Sequence, residues 1–139
     1  MINSNSNIVT YPLAVFFQVS DVVISIDTRH AAVAEAAIEA GADIVNDVSG
    51  GTHDSNMLST VGKLKVPMVI MHMRGTPETM QSMTQYDDVV VEVASALMKQ
   101  STAAEEAGIP RCLQILDPGI GFAKDLEQNL TMVLLSIVE

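Results

Sequence analysis

Apolar residues fall in four short runs along the chain, and segments of helical pattern separate them. The runs are VVISID, ADIVNDVSGG, VPMVIMHM and CLQILDPG, at residues 22–27, 42–51, 66–73 and 112–119. None of them alternates cleanly between apolar and polar residues, as a strand exposed on one face does. Each run is therefore predicted to be a strand buried on both faces, which is typical of parallel sheets.

Apolar residues at helical spacing predict helices at residues 28–40, 55–65, 87–108 and 125–138. The order βαβαβαβα predicts parallel strands joined by right-handed crossovers. No GxGxxG motif follows the first strand, so a dinucleotide-binding fold has no positive support. The predicted fold class is α/β, a partial (β/α) TIM-type barrel of about four βα units.

Composition narrows the classes of function. The 139 residues are 48% hydrophobic, which predicts one folded domain, and seven basic against seventeen acidic residues give a formal charge of −10. Without a cluster of Lys or Arg, neither nucleic acid nor a membrane surface is an expected partner. The single cysteine, Cys112, is predicted to pack in the core, and a reducing compartment is expected.

The chain starts with a segment that we set apart as divergent, residues 1–21, from the domain predicted at residues 22–139. Its apolar stretch, residues 13–19, is too short to span a bilayer. No Lys or Arg precedes Arg29, although a signal peptide or an Arg-rich transit peptide would contain one. No targeting segment is therefore predicted.

Polar side chains stand at the end of every predicted strand: Asp27, Asn46 with the adjacent acid, His72 and Asp117. Active sites of (β/α) barrels lie at the carboxyl-terminal ends of the strands. A buried, unpaired carboxylate is costly, so these groups are expected to face a ligand, a cation or water. Four strands that deliver such groups to one rim predict a binding site.

The chemistry of three of these residues favours a particular kind of ligand. Asp27, Asn46 and Asp117 combine carboxylate acceptors with an amide that both donates and accepts. This set suits a flat, nitrogen-rich heterocycle with N–H donors and a carbonyl, because a carboxylate accepts two parallel bonds from such an edge. Met71 offers a soft apolar surface to a ring face, and Phe122, in a glycine-rich loop, offers an aromatic contact.

Structural roles compete with these interpretations at each position. A helix N-cap fits Asp27, and a turn before the Gly-Gly pair fits Asn46 or Asp47. His72 is more often a hydrogen-bonded core histidine than a catalyst, and Asp117 fits a plain Asp-Pro-Gly turn. The joint occurrence at four strand ends favours the binding site. The three histidines have no ligand-like spacing, and the single cysteine excludes a thiolate cluster, so no metal site is predicted.

Four stretches of the chain resemble dihydropteroate synthase, the pterin-binding (β/α) barrel family of folate biosynthesis. They are ISIDT, AGADIVNDVSGG, VPMVIMHMRGTPETMQ and ILDPGIGFAK, in the family's order and roughly its spacing. The resemblance implies a transferase that condenses 6-hydroxymethyl-7,8-dihydropterin diphosphate with p-aminobenzoate to give dihydropteroate and diphosphate. It further implies Mg²⁺ as cofactor, a homodimer for the full-length family, and a cytoplasmic location, with the mitochondrial matrix as the alternative.

The resemblance also assigns roles to individual residues. The substrate-binding residues that it implies are Asp27, Asn46, Val48, Met71, Asp117 and Phe122. The two acids and the amide would hold the pterin edge, Val48 and Met71 would pack on its ring, and Phe122 would contact p-aminobenzoate. Asp27 is the implied catalytic residue, because a carboxylate near the pterin methylene carbon stabilises positive charge left by the departing diphosphate.

The family pattern is only partly matched. The family barrel has eight strands, and the four found here correspond to strands three to six. The parts of the family barrel that bind diphosphate, p-aminobenzoate and part of the pterin have no counterpart. They include the loop with the Asn that serves the metal-bound diphosphate, so the protein ligand of Mg²⁺ is not in this chain. We therefore expect a fragment whose isolated activity is doubtful. The alternatives are a pterin-binding domain of a methyltetrahydrofolate methyltransferase and a non-catalytic remnant.

Overall fold

The computed structural model describes residues 22–76 and 79–135, and each of four parallel strands is followed by a helix. The strands are β1 (Ser25–Asp27), β2 (Ile44–Asp47), β3 (Met68–Met71) and β4 (Gln114–Asp117). The helices are α1 (Ala31–Glu39), α2 (Met57–Leu64), α3 (Val89–Glu106) and α4 (Leu126–Leu135). Short 3₁₀ helices occupy Met80–Ser82 and Arg111–Leu113.

The predicted order of strands and helices is confirmed, with element ends shifted by a few residues. The segment 1–21 lies outside the described residues, as do residues 136–138 of the last predicted helix. Residues 77 and 78, within the stretch MHMRGTPETMQ, also lie outside them. Over the described part of the chain, no helix is long and apolar enough to cross a membrane.

The sheet has the order β1-β2-β3-β4, and every neighbouring pair is parallel. Asp27 pairs with Asn46, and Asn46 pairs with Val69 on the next strand. Two residues further along, Met71 pairs with Asp117. Because side chains alternate between the two faces of a strand, these five residues belong to the same face of the sheet.

Helices pack on the other face, and the core forms between them and the sheet. Its fully buried members are Ala34, Val45, Met57, Val61, Met68, Ile70, Ala104 and Ile109. Burying the valine, isoleucine and methionine side chains of this core contributes about 1.5–3 kcal/mol each. The opposite face is more open, since Asp27 is exposed and Ile115 is 47% exposed.

Local signals fix the ends of the helices. Asp88 caps α3, because its side chain accepts hydrogen bonds from the backbone N–H groups of Val90 and Val91. The helix α1 ends at the predicted stop, Gly41, whose φ of 105° suits a residue without a Cβ atom. Because all four strands are parallel, their carboxyl termini and the loops that follow lie on one rim.

The prediction that Cys112 packs in the core is wrong, because its side chain is exposed. The apolar run CLQILDPG suggested a strand that includes this residue, but Arg111–Leu113 form a 3₁₀ helix and the strand begins at Gln114. Gln114 points to the helix side, where it accepts a 2.6 Å hydrogen bond from the hydroxyl of Ser101. Hydrophobicity alone does not separate these two conformations.

Candidate functional site

Asp27 and Asn46 lie side by side at the carboxyl ends of β1 and β2. Adjacent strands are about 4.8 Å apart, so the two side chains start from neighbouring points on the open face. The N-cap interpretation of Asp27 is wrong, because the N-cap position of α1 is His30. The backbone N–H of Ala31 in the first turn donates to Asp54 at 2.8 Å, and this leaves Asp27 without a capping role.

Asp47, the next residue after Asn46, belongs to the opposite face and is fully buried. Its Oδ1 accepts hydrogen bonds from the backbone N–H and the hydroxyl of Ser49, at 2.8 and 2.6 Å. Its Oδ2 accepts the backbone N–H of Gly51 at 2.9 Å. The turn interpretation therefore holds for Asp47, while Asn46 is left on the face that carries Asp27.

Asp117 ends β4 and begins the loop from Pro118 to Lys124, which we call the glycine loop. Its Oδ1 accepts the backbone N–H of Gly119 at 2.8 Å, as in an Asx turn. Gly119 has a φ of 69°, and a Cβ atom there would lie 2.1 Å from the carbonyl oxygen of His72. The close approach of the loop to β3 thus depends on the absence of a side chain at this position.

The three apolar residues of the predicted site differ in exposure. Met71 is only 3% exposed, because the glycine loop folds over it, and a Cβ atom on Gly119 would lie 3.4 Å from its Cγ. Val48 and Phe122 are half-buried, in the loops after β2 and β4. Ring contacts by these three residues, and the convergence of Asp27, Asn46 and Asp117 on one ligand, stay predictions.

A buried lysine that the sequence analysis did not single out lies under the glycine loop. Lys124 is 4% exposed, and its ammonium donates to the carbonyl oxygens of Gly119 and Phe122, both at 3.1 Å. It also lies 3.2 Å from Nδ1 of His72, which is 4% exposed. The prediction of His72 as a hydrogen-bonded core histidine is confirmed. The only signal for the lysine was its position at the end of GFAK, directly after an apolar loop.

Burial and neighbouring cations shift the pKa of both groups. Burial, assisted by Lys124 and Arg74, lowers the pKa of His72 to about 4. Burial also lowers the pKa of Lys124 to about 8, although the carboxylate of Asp117 favours its charged form. At neutral pH the pair therefore consists of a neutral imidazole and an ammonium, and Nδ1 of the imidazole acts as the acceptor.

A second polar cluster joins the loop after β3 to the glycine loop. Arg74 forms an ion pair with Glu92 on α3 and stacks on the ring of Tyr86, 3.8 Å from its centroid. The hydroxyl of Tyr86 donates to the carbonyl oxygen of Ala123 at 2.9 Å. The hydrogen bond from Arg74 lowers the pKa of Glu92. The two loops are thus fixed to each other next to Lys124.

The described residues offer no group of three or more His, Cys, Asp or Glu side chains placed to hold a metal ion. A cavity of about 440 Å³ lies at the opposite rim, near the amino-terminal ends of β3 and β4. It is lined by Lys65, Glu105, Gly108, Pro110 and Leu113, none of which belongs to the predicted site.

Comparison with known proteins matches this chain to a protein family. The family model described as pterin binding enzyme matches residues 9–135, so its match begins inside the segment that we set apart at the N-terminus. Dihydropteroate synthase from Synechocystis sp. is 46% identical over 113 residues, which are 81% of this chain and 39% of that protein.

Solved structures agree in fold. The dihydropteroate synthase from Yersinia pestis with a sulfonamide drug complex has a TM-score of 0.90 at 30% identity, over 99% of this chain and 51% of that one. The dihydropteroate synthase from Xanthomonas albilineans in complex with 7,8-dihydropteroate has a TM-score of 0.80 at 35% identity, over 91% and 45%. The chain thus spans about half the length of these structures, and its sheet corresponds to part of a TIM barrel.

The fold and the family match define a class, the pterin-binding (β/α) barrels. This chain belongs to the pterin binding enzyme family, and the relatives named above are dihydropteroate synthases.

Proposed function

We propose that this chain supplies the pterin-binding part of a dihydropteroate synthase-type transferase of folate biosynthesis. The reaction joins 6-hydroxymethyl-7,8-dihydropterin diphosphate to p-aminobenzoate. The bond between the pterin methylene carbon and the diphosphate oxygen breaks, a bond from that carbon to the aniline nitrogen forms, and the nitrogen loses a proton. The products are dihydropteroate and diphosphate.

One observation carries the proposal: Asp27, Asn46 and Asp117 share the face of the sheet that no described helix covers. The register sets Asp27 beside Asn46 and puts Asp117 two residues further toward the carboxyl end. A heterocycle lying on this face would meet carboxylate acceptors and a bifunctional amide along its edge. Comparison with the dihydropteroate complex named above supports a pterin as that heterocycle.

The residues of this site would contribute binding and electrostatics. Asp117 would orient the pterin, because its Oδ1 is fixed by Gly119 and its other oxygen is available to a ligand edge. Asp27, which is exposed, would stabilise positive charge that develops on the methylene carbon as diphosphate leaves. Phe122 would contact p-aminobenzoate from the glycine loop.

The magnesium ion implied by the resemblance does not fit the described residues, which lack a suitable cluster of ligands. No step is therefore assigned to a metal on this chain. We also propose that the whole family protein forms a homodimer and is located in the cytoplasm or the mitochondrial matrix.

Calorimetric titration of the full chain with 6-hydroxymethyl-7,8-dihydropterin tests the binding step. We expect saturable binding that Asp27→Ala weakens about tenfold or more, since a hydrogen bond to a charged group contributes about 1.5–3 kcal/mol, and that Asn46→Ala weakens severalfold, since a neutral one contributes about 0.5–1.5 kcal/mol. Asp43→Ala is the matched control, because Asp43 bonds the backbone of Ile24 at the other end of β1. An Asp43→Ala loss equal to that of Asp27→Ala, or no binding by the parent chain, would contradict the proposal.

A diphosphate-release assay separates the reaction classes. Turnover that requires p-aminobenzoate and disappears in Asp27→Ala supports the transferase. Binding of methyltetrahydrofolate with no response to p-aminobenzoate would instead identify a methyltransferase domain, and pterin binding without any turnover would indicate a binding remnant.

A further inference from the structure

A buried cation lies directly behind the proposed ligand face, and the reaction described above does not use it. Lys124 is 4% exposed and donates to the carbonyl oxygens of Gly119 and Phe122. Its third polar neighbour is Nδ1 of His72, at 3.2 Å. An ammonium has three donors, so these three acceptors account for all of them.

The acceptors of Lys124 connect two strand ends. His72 follows β3, and its backbone N–H donates to the carbonyl oxygen of Asp117 at 2.9 Å. Gly119 follows β4, and its N–H donates to Oδ1 of Asp117 at 2.8 Å. The ammonium binds the carbonyl oxygen of Gly119, and the N–H group of this same residue fixes the Asp117 carboxylate. A displacement of Lys124 would therefore move Gly119 and release that carboxylate.

On the basis of the proposed function, we propose that Lys124 is a positioning residue. Together with His72, it holds the glycine loop so that the Asp117 carboxylate points to the pterin edge. Lys124 acts through the loop and does not itself touch the ligand. Asp27 and Asn46 stand on strands β1 and β2, and they do not depend on this contact. Lys124 thus controls one of the three pterin-binding groups.

The ionisable groups around Lys124 determine how its hold on the glycine loop responds to pH. The ionisable groups around it are His72 and Arg74 after β3, Asp117 at the end of β4, and the partners of Arg74, which are Tyr86 and Glu92. Above about pH 8 the lysine becomes neutral, and it then has two donors for three acceptors. Pterin affinity is expected to fall through this pH range, and Lys124→Met is expected to abolish the dependence.

Affinity measurements on substituted chains test the proposal. Lys124→Met is expected to weaken 6-hydroxymethyl-7,8-dihydropterin binding about tenfold or more at pH 7, with an unchanged far-ultraviolet circular dichroism spectrum. His72→Leu, which removes the acceptor, is expected to weaken binding severalfold. His72→Asn, whose side-chain oxygen replaces Nδ1, is expected to restore most of the affinity. Lys99→Met is the matched control, because Lys99 is exposed on α3.

A spectroscopic readout makes the proposal independent of ligand binding. In the ¹⁵N spectrum of the free chain, Nδ1 of His72 is expected to carry no proton at pH 6, and Lys124→Met is expected to accelerate amide exchange of Gly119. It is also expected to shift the carboxyl ¹³C signal of Asp117.

Two outcomes separate failure of this inference from failure of the proposed function. If the parent chain binds the pterin while Lys124→Met leaves affinity, Gly119 exchange and the Asp117 signal unchanged, the positioning role is overturned and the function stands. If the parent chain does not bind the pterin, the proposed function falls, and the Gly119 and Asp117 signals alone decide whether Lys124 fixes the loop. A Lys124→Met chain that does not fold shifts the decision to the His72→Leu and His72→Asn pair.

Discussion

Two loops at the same rim of the sheet differ in how they hydrogen-bond to the carboxylate at the end of the preceding strand. After β2, both oxygens of Asp47 accept hydrogen bonds from the turn that follows, and the side chain is fully buried. After β4, only Oδ1 of Asp117 is used in this way, by Gly119, and the side chain is half-buried. Among the described residues, no hydrogen bond reaches the other oxygen of Asp117.

This difference distinguishes Asp47, a structural acid, from Asp117, the acid that we propose faces a ligand. The carboxylate of Asp47 accepts three hydrogen bonds from its own turn and is fully buried, so it is not accessible to a ligand. The glycine loop receives hydrogen bonds from the side chains of Lys124, Tyr86 and Asn129, and the carboxylate of Asp117 is left with an available oxygen. Residue type and position at a strand end are the same in the two cases. The source of the loop's hydrogen bonds is what decides the role.

The largest effect is expected from Gly119→Ala, which removes the close contact that defines the second loop. The new Cβ would lie 2.1 Å from the carbonyl oxygen of His72, and φ at this position is 69°. We expect the free energy of unfolding to fall by about 3 kcal/mol or more. Gly121→Ala is the matched control, with φ at 82° but nothing within 4 Å, and should cost about 1 kcal/mol. Equal losses in urea denaturation would refute a specific contact at Gly119.

Asparagine substitutions at the two acids test the comparison itself. Asp47→Asn places an NH₂ group against a backbone N–H of Ser49 or Gly51, so we expect a loss of about 2–3 kcal/mol in unfolding free energy. Asp117→Asn keeps an acceptor for Gly119 and should cost less than about 1 kcal/mol, yet weaken pterin binding about tenfold or more. Denaturation and calorimetry on both chains provide the check. If Asp117→Asn cost more stability and Asp47→Asn weakened pterin binding more, Asp117 would be the structural acid and Asp47 the ligand-binding one.

A smaller effect concerns the pH dependence of stability through His72. In the unfolded chain its pKa is about 6.5, and in the folded chain about 4, so the unfolded state binds more protons between these values. The free energy of unfolding should therefore decrease as the pH falls from 6.5 to 4, by about 3 kcal/mol, since one pKa unit corresponds to about 1.4 kcal/mol. His72→Asn should lack this component. Parallel pH curves for the two chains would contradict burial of a neutral His72.

Much of the fold was predictable because apolar runs and helical spacing alternate regularly, and each run proved to contain a strand. The identity of the buried acid was not predictable, because Asn46 and Asp47 are adjacent and only the register decides which one faces the core. Cys112 was misplaced since a 3₁₀ turn and a strand have the same hydrophobicity. Lys124 was missed because a single lysine in a loop carries no periodic signal, and its burial depends on long-range contact with His72.

A titration of the ¹⁵N-labelled full chain with 6-hydroxymethyl-7,8-dihydropterin, followed by NMR, tests most directly whether the open face of the sheet is the pterin site. We predict the largest shifts at the Asn46 side-chain NH₂ and at the backbone N–H groups of Thr28 and Gly119. Shifts centred on Lys65 and Leu113, which line the cavity at the opposite rim, would contradict the assignment.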